Sequence, residues 1–163
     1  MTTATIAAPN TQAAGAVFGG GLYAGRIFVG AQAFELVLAP KEEGEHPPTK
    51  WHKNLKAVAG ATSWCDGQAN TAAMATAGSP LAKWARDLRI DGHDDWYLPS
   101  RLEALVLFGE LQPEFERDWY WTSTQHASYP ECAWIQHFLS GGQNGYRKDL
   151  RFRARAVRRV PIR

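Results

Sequence analysis

A chain of 163 residues, 45% hydrophobic and 21% charged, is sized for one globular domain that folds without metal or disulfide. No stretch approaches the ~20 apolar residues of a membrane span, which excludes membrane insertion by a helix. The formal net charge of +2 hides an uneven distribution: residues 147–163 carry eight cations against one acid, Asp149, a net +7, which leaves −5 on residues 1–146.

Residues 1–21 are rich in Ala, Thr and Gly and end in three glycines. They are expected to form a flexible arm, because such a segment buries too little apolar surface to order itself. With no basic region and no sustained apolar run, the first 18 residues are read as neither signal peptide nor anchor, so synthesis is expected in a cytoplasm. The domain proper is expected over 22–163. Two strand-like runs, 22–29 and 32–38, joined at Gly30 and Ala31, predict a hairpin. Residues 40–50 (PKEEGEHPPTK) read as a polar, proline-bearing loop.

Helical patterns follow. Residues 66–77 hold good helix formers and stop at Gly78. Ser79 and Pro80 restart a helix to Arg89 as N-cap and first helical residue, with Leu81, Trp84, Ala85 and Leu88 on one apolar face. Residues 90–95 (IDGHDD) form a turn. Ser100 to Glu103 has the spacing of a capping box, and its helix runs to about Phe108, burying Leu102, Leu105 and Val106. Beyond Pro113 the pattern is strand and turn: 119–124, 133–139, 146–150 and 152–160 are the strands, with Gly141, Gly142 and Gly145 at a tight hairpin tip. Helices in the middle and strands at both ends predict an α+β fold.

Five pieces stand in a recognisable order: Asp95-Trp-Tyr-Leu-Pro-Ser, the capped helix, Tyr120-Trp-Thr-Ser-Thr, Ala133-Trp-Ile-Gln-His-Phe and Ala156-Val-Arg-Arg-Val. Together they resemble the Lcl C-terminal domain family, named for a collagen-like adhesin and common in phage tail proteins. That family shows DWRLPT, Y-W-S-S-T, A-W-x-V-x-F, a glycine turn and V-R-C-V-R. The resemblance implies a C-type-lectin-like fold: antiparallel sheets, two to three helices in the middle of the chain, and first and last strands paired. This chain departs from the pattern at Tyr97, where Arg is usual, at Gln136, where an aliphatic residue is common, and at Arg159, where the family has Cys.

Most residues that bear chemistry fit plain structural roles. Cys65 and Cys132 lack metal-ligand spacing and read as reduced and partly buried, with one long-range bridge as the alternative. Asp91, His93, Asp94 and Asp95 form the one acidic cluster of interest; with no second cluster to complete a calcium shell, they read as turn residues that satisfy backbone amides. The five histidines show no metal spacing, and neither a nucleophile elbow nor a phosphate-binding loop occurs. No metal, cofactor or reaction is implied. The arginines of residues 147–163 alternate with Phe152, Ala154 and Ala156, so they read as strand residues that neutralise their own domain or a neighbouring subunit; an acidic glycan or nucleic acid is the other reading.

A binding face is the expected site. Along 133–139, Trp134, Gln136 and Phe138 share one face, inner by the resemblance, which turns Ile135 and His137 outward. The neighbouring turns add Gln125, His126, Tyr129, Gln143, Asn144 and Tyr146. Aromatic, amide and imidazole groups on loops held by a sheet suit adaptable contacts. The expected function is therefore non-enzymatic: host-surface recognition or tail structure in a phage tail tip or adhesin, within a virion. A homo-oligomer is expected, a trimer by the resemblance, contacting a surface receptor or other tail proteins rather than nucleic acid. Two alternatives remain: an inhibitor that binds a host nucleoprotein complex through the basic strand, and a degenerate formylglycine-generating-type enzyme.

Overall fold

The computed structural model describes residues 12–163. Residues 1–11, half of the expected arm, lie outside the described residues. From Gln12 the chain turns at Gly15 and returns as β1 (Val17–Phe18), which pairs with the start of β2 (Gly21–Val29). Residues 12–20 thus belong with the first hairpin, tied by Gly15 N–H to Tyr23 O and by Tyr23 N–H to Ala16 O, each 2.8 Å. β2 and β3 (Gln32–Leu38) form the expected hairpin across Gly30 and Ala31.

The predicted loop at 40–50 is instead a one-turn helix, α1 (Lys41–Gly44), and a strand, β4 (Glu45–Lys50). Pro47 and Pro48 fit because β4 is an edge strand whose ladder skips from His46 to Thr49, and edges tolerate a missing donor. Three longer helices follow: α2 (Gly67–Thr76), α3 (Pro80–Asp87) and α4 (Arg101–Leu111). Their starts match the sequence signals. Asp66 caps α2 through Ala69 N–H, Ser79 caps α3 through Ala82 N–H, and Ser100 with Glu103 forms the complete capping box of α4. α4 buries Glu103, Ala104, Leu107 and Leu111, while Leu102, Leu105 and Val106 are only partly buried. The inward stripe is the i, i+3/i+4, i+7/i+8 set of Glu103, Ala104, Leu107 and Leu111, which admits the buried capping-box Glu103 and turns Leu102, Leu105 and Val106 to its flanks.

The last third makes β5 (Trp119–Gln125), β6 (Cys132–His137), β7 (Gln143–Arg147), β8 (Arg151–Arg155) and β9 (Val157–Pro161). The single strand expected over 152–160 is two strands in different sheets. The chain crosses at Ala156, whose carbonyl takes Ala39 N–H and whose N–H bonds Gly44 O. One sheet runs β1-β2-β3-β9, the other β4-β8-β5-β6-β7. Pairing is antiparallel except between β5 and β8, which run parallel at Tyr120 and Arg153. The final strand pairs with β3, the second strand of the hairpin, rather than with the first. The architecture is α+β.

α4 lies in an apolar core shared by the sheets, with Ile27, Leu36 and Leu38 from one, Tyr120 from the other and Phe138 just past β6 around Leu107 and Leu111. A second core packs Met74 of α2 and Leu81 and Ala85 of α3 against Trp121, Ile135 and Ala154. Sheet β4-β8-β5-β6-β7 is therefore covered on both faces along much of its middle. The basic end of the chain is neutralised within the domain: Arg153 meets Glu45 and Asp118, Arg155 meets Glu45, Arg158 meets Asp95, and Arg159 meets Asp66. Asp95, expected to serve turn amides, is thus the partner of an arginine.

Candidate functional site

The eight expected contact residues separate into three groups, because antiparallel register decides which side chains share a face. Trp134 pairs with Gly145 and Gln136 with Gln143, so these four lie on the face that α4 covers. Ala133 pairs with Tyr146 and Ile135 with Asn144 on the other face.

Two residues are interior. Ile135, expected to point outward, is fully buried in the core beside Trp121. β6 is a central strand with a packed layer on each side, so alternation along it does not separate inside from outside. Gln125 is also buried. Its Oε1 accepts from Val58 N–H and from the Lys148 ammonium, both at 2.7 Å, so it is a structural hub rather than a surface contact.

Three more lie on the Ile135 face near the sheet's free edge. His137 stacks on Trp119 with ring centroids 4.4 Å apart, and Tyr146 leans toward Trp119 and Phe152 at 6.3 and 5.7 Å. Asn144 is exposed beside them.

The remaining three, His126, Tyr129 and Gln143, converge on Trp134. The His126 ring stacks on the Trp134 indole at 4.9 Å and 14°, and Tyr129 lies 4.9 Å from His126. His126 Nδ1 accepts the N–H groups of Ser128 and Tyr129, each at 3.1 Å. In the neutral ring the proton therefore sits on Nε2. Gly145, across from Trp134, makes room: a Cβ there would stand 2.9 Å from His126 Cδ2.

Sequence reasoning missed the centre of this group, Arg101, and its neighbour Trp64. Arg101 is the first residue of α4, so its side chain leaves the helix end beside β6 and β7 rather than running along the buried stripe. Its guanidinium carbon lies over the Trp134 ring at 3.5 Å and over the Trp64 ring at 4.8 Å. Gln143 holds it from both ends: Arg101 Nε–H donates to Gln143 Oε1 at 3.0 Å, and Gln143 Nε2 donates to Arg101 O at 2.9 Å and to Gln136 Oε1 at 3.0 Å. Burial lowers the Arg101 guanidinium from its ordinary value, and no acid of the described residues forms an ion pair with it. Trp64 and Tyr129 remain 44% and 59% exposed. The result is an open platform of three aromatic rings, an imidazole and one fixed cation. The signal available in the sequence was the position of Arg101 directly after the capping serine, beside an aromatic-rich strand pair.

The family departures have visible partners. The Tyr97 hydroxyl donates to Glu103 Oε1 at 2.7 Å, while Ser100 N–H donates to Glu103 Oε2 at 2.7 Å. Both carboxylate oxygens of the buried capping box are thereby satisfied, although burial still raises the Glu103 carboxyl. Arg159 reaches Asp66 at 2.9 Å and lies over Phe34, so it ties the last strand to the cap of α2.

Two of the open clefts among the described residues lie away from the platform. One of about 470 Å³, lined by Val17, Leu22, Ile90 and Arg155, is rimmed by Glu42, Glu43, Asp91 and Glu114. The other, of about 390 Å³, mixes Arg86 and Arg89 with Asp94 and Asp95. Among the described residues no group of three or more His, Cys, Asp or Glu is placed to hold a metal ion, both cysteines are free, and no helix is long and apolar enough to cross a membrane.

No curated protein matches the chain. A sequence model of the Lcl C-terminal domain matches residues 46–158, from β4 to the start of β9 and including every platform residue. That span exceeds half of the 163 residues, and the chain belongs to the Lcl C-terminal domain family.

Proposed function

We propose that this protein is a non-enzymatic recognition domain that contacts a cell or particle surface through the Trp64, Arg101, His126, Tyr129 and Trp134 platform. The observation that carries the reading is the rigid display of partly exposed aromatic rings around a cation that has no acidic partner of its own. Large aromatic groups with few rotatable bonds give contact area at small entropic cost, and a pre-fixed cation adds orientation. A C-type-lectin-like fold is the finer architecture we assign to the α+β frame: it accords with a terminal strand returning to the first hairpin and with a contact face near the glycine turn. The setting we favour is a phage tail tip or adhesin, made in several copies, where weak single contacts combine. A trimer is the oligomer we favour, and Val17 and Phe28, exposed on β1 and β2, supply apolar area for it.

The basic-strand inhibitor reading loses support because Arg153, Arg155, Arg158 and Arg159 already pair with acids of their own chain. The test is adsorption of labelled full chain to intact bacterial cells, with light scattering for the oligomer. Saturable adsorption to cells supports the proposal. Absence of adsorption to any surface, together with capture by an intracellular nucleoprotein complex, overturns it.

A further inference from the structure

We infer that the Arg101 guanidinium receives the carboxylate of an acidic sugar, with the sugar ring lying on the exposed aromatic faces beside it. The inference rests on the surface-recognition reading above and names the ligand chemistry of the same platform.

The argument begins with what Arg101 lacks. Arg153, Arg155, Arg158 and Arg159 of β8 and β9 each have an acid at 2.7 to 3.7 Å. Arg101 is as firmly placed as they are, yet its side chain bonds only Gln143, and through Nε alone. Nη1 and Nη2 bond no residue. Neither Nη is among the buried polar atoms left without a partner, so both donors face solvent and are open to an incoming anion. The rigid hold by Gln143 means these donors do not swing to find a partner elsewhere on the protein.

Geometry narrows the anion. With the guanidinium lying over both indoles, approach is directed to its edge, where Nη1 and Nη2 form a planar fork. A carboxylate presents two coplanar oxygens that match such a fork with two parallel hydrogen bonds. A lysine offers a point charge and no fork, so this recognition depends on the arginine itself.

The surroundings narrow what carries the carboxylate. Trp64 and Tyr129 offer exposed flat rings, suited to the C–H face of a pyranose. His126 Nε2–H adds a donor, since Nδ1 is committed to the Ser128 and Tyr129 amides. The exposed rings of Trp64 and Tyr129 give the platform broad flat faces. A carboxylated sugar uses the fork, the rings and the imidazole together; a peptide C-terminus uses only the fork.

The test is titration calorimetry of the full chain with glucuronate-containing and sialyl oligosaccharides, each beside its carboxyl-reduced alcohol. Adsorption to intact cells is measured in parallel. The expected result is binding that weakens at least tenfold on carboxyl reduction and at least tenfold in Arg101→Lys, with Arg101→Gln no better. Both variants are first shown to melt within a few degrees of the parent. Equal binding of the reduced sugars, unchanged binding by Arg101→Lys, or equal competition by a peptide with a free C-terminal carboxylate overturns the inference. If Arg101→Lys adsorbs to cells like the parent, the carboxylate inference falls while surface recognition stands. If the parent itself adsorbs to nothing, the surface reading falls first.

Discussion

Lys148→Met should remove a pH dependence of stability that the parent domain shows in mild alkali. Lys148 is fully buried, with its ammonium donating to Lys56 O at 2.9 Å and Gln125 Oε1 at 2.7 Å and lying 4.6 Å from the Trp51 ring centroid. It has no carboxylate in contact. Desolvation lowers it to about 8, and attraction from Cys132 and Glu131 only partly opposes that. In the unfolded chain the same lysine titrates near 10.5, so between these values the unfolded state holds more protons than the folded one. Stability then rises with pH across that window. A separation of roughly 2.5 units at 1.36 kcal/mol each corresponds to about 3 kcal/mol, all of it absent below pH 8.

Other groups act in the opposite sense. Burial raises the Cys132 thiol and the Tyr97 hydroxyl, and raises Tyr23 to about 12. Each of these keeps its proton longer in the fold, so each lowers stability as pH climbs past its unfolded value. The quantity to measure is therefore the difference between the parent and Lys148→Met, by urea unfolding under reducing conditions at half-unit steps from pH 7 to 10. The parent should gain on the variant by about 2.5 kcal/mol over that range, the remainder coming above pH 10. Parallel curves would mean that Lys148 is solvated, and the reasoning from its burial would fail.

Three further outcomes follow from local geometry. Ser100→Ala should lower stability by about 1 kcal/mol, because Ser100 Oγ accepts Glu103 N–H at the start of α4; an unchanged denaturation midpoint would contradict the cap's role. Gly141→Ala should cost more than about 1 kcal/mol, since φ there is +79° and a Cβ would stand 2.6 Å from the Phe108 ring; a melting temperature equal to the parent's would contradict it. Adding a chelator should leave the melting midpoint unchanged, because among the described residues no group of three or more His, Cys, Asp or Glu is placed to hold a metal ion; a fall of several degrees would show that an ion is part of the fold.

The legible parts of the fold were those with local causes. Ser79-Pro80, Ser100 to Glu103 and Gly30-Ala31 each carry their signal within four residues, and each sits where that signal places it. What escaped depends on distant partners. β4 forms at prolines because β8 supplies the other half of its ladder. Ile135 is buried because helices and Trp121 cover its side of β6, which no alternation along one strand reveals. The candidate site was half legible for the same reason: His126, Tyr129 and Gln143 were singled out from their residue types and turn positions. Arg101 stands 33 residues before Trp134 and Trp64 stands 70 before it, and Arg101 joins the two rings only in the folded state.

The central claim is that the platform, and not the opposite face of the same sheet, makes the contact. Adsorption to intact cells is the direct measurement, comparing the parent with Trp64→Ala/Tyr129→Ala and with Tyr146→Ala, which removes the exposed ring on the far side. The account predicts that the double variant loses adsorption at least tenfold while Tyr146→Ala matches the parent. Adsorption retained by the double variant and lost by Tyr146→Ala would contradict it.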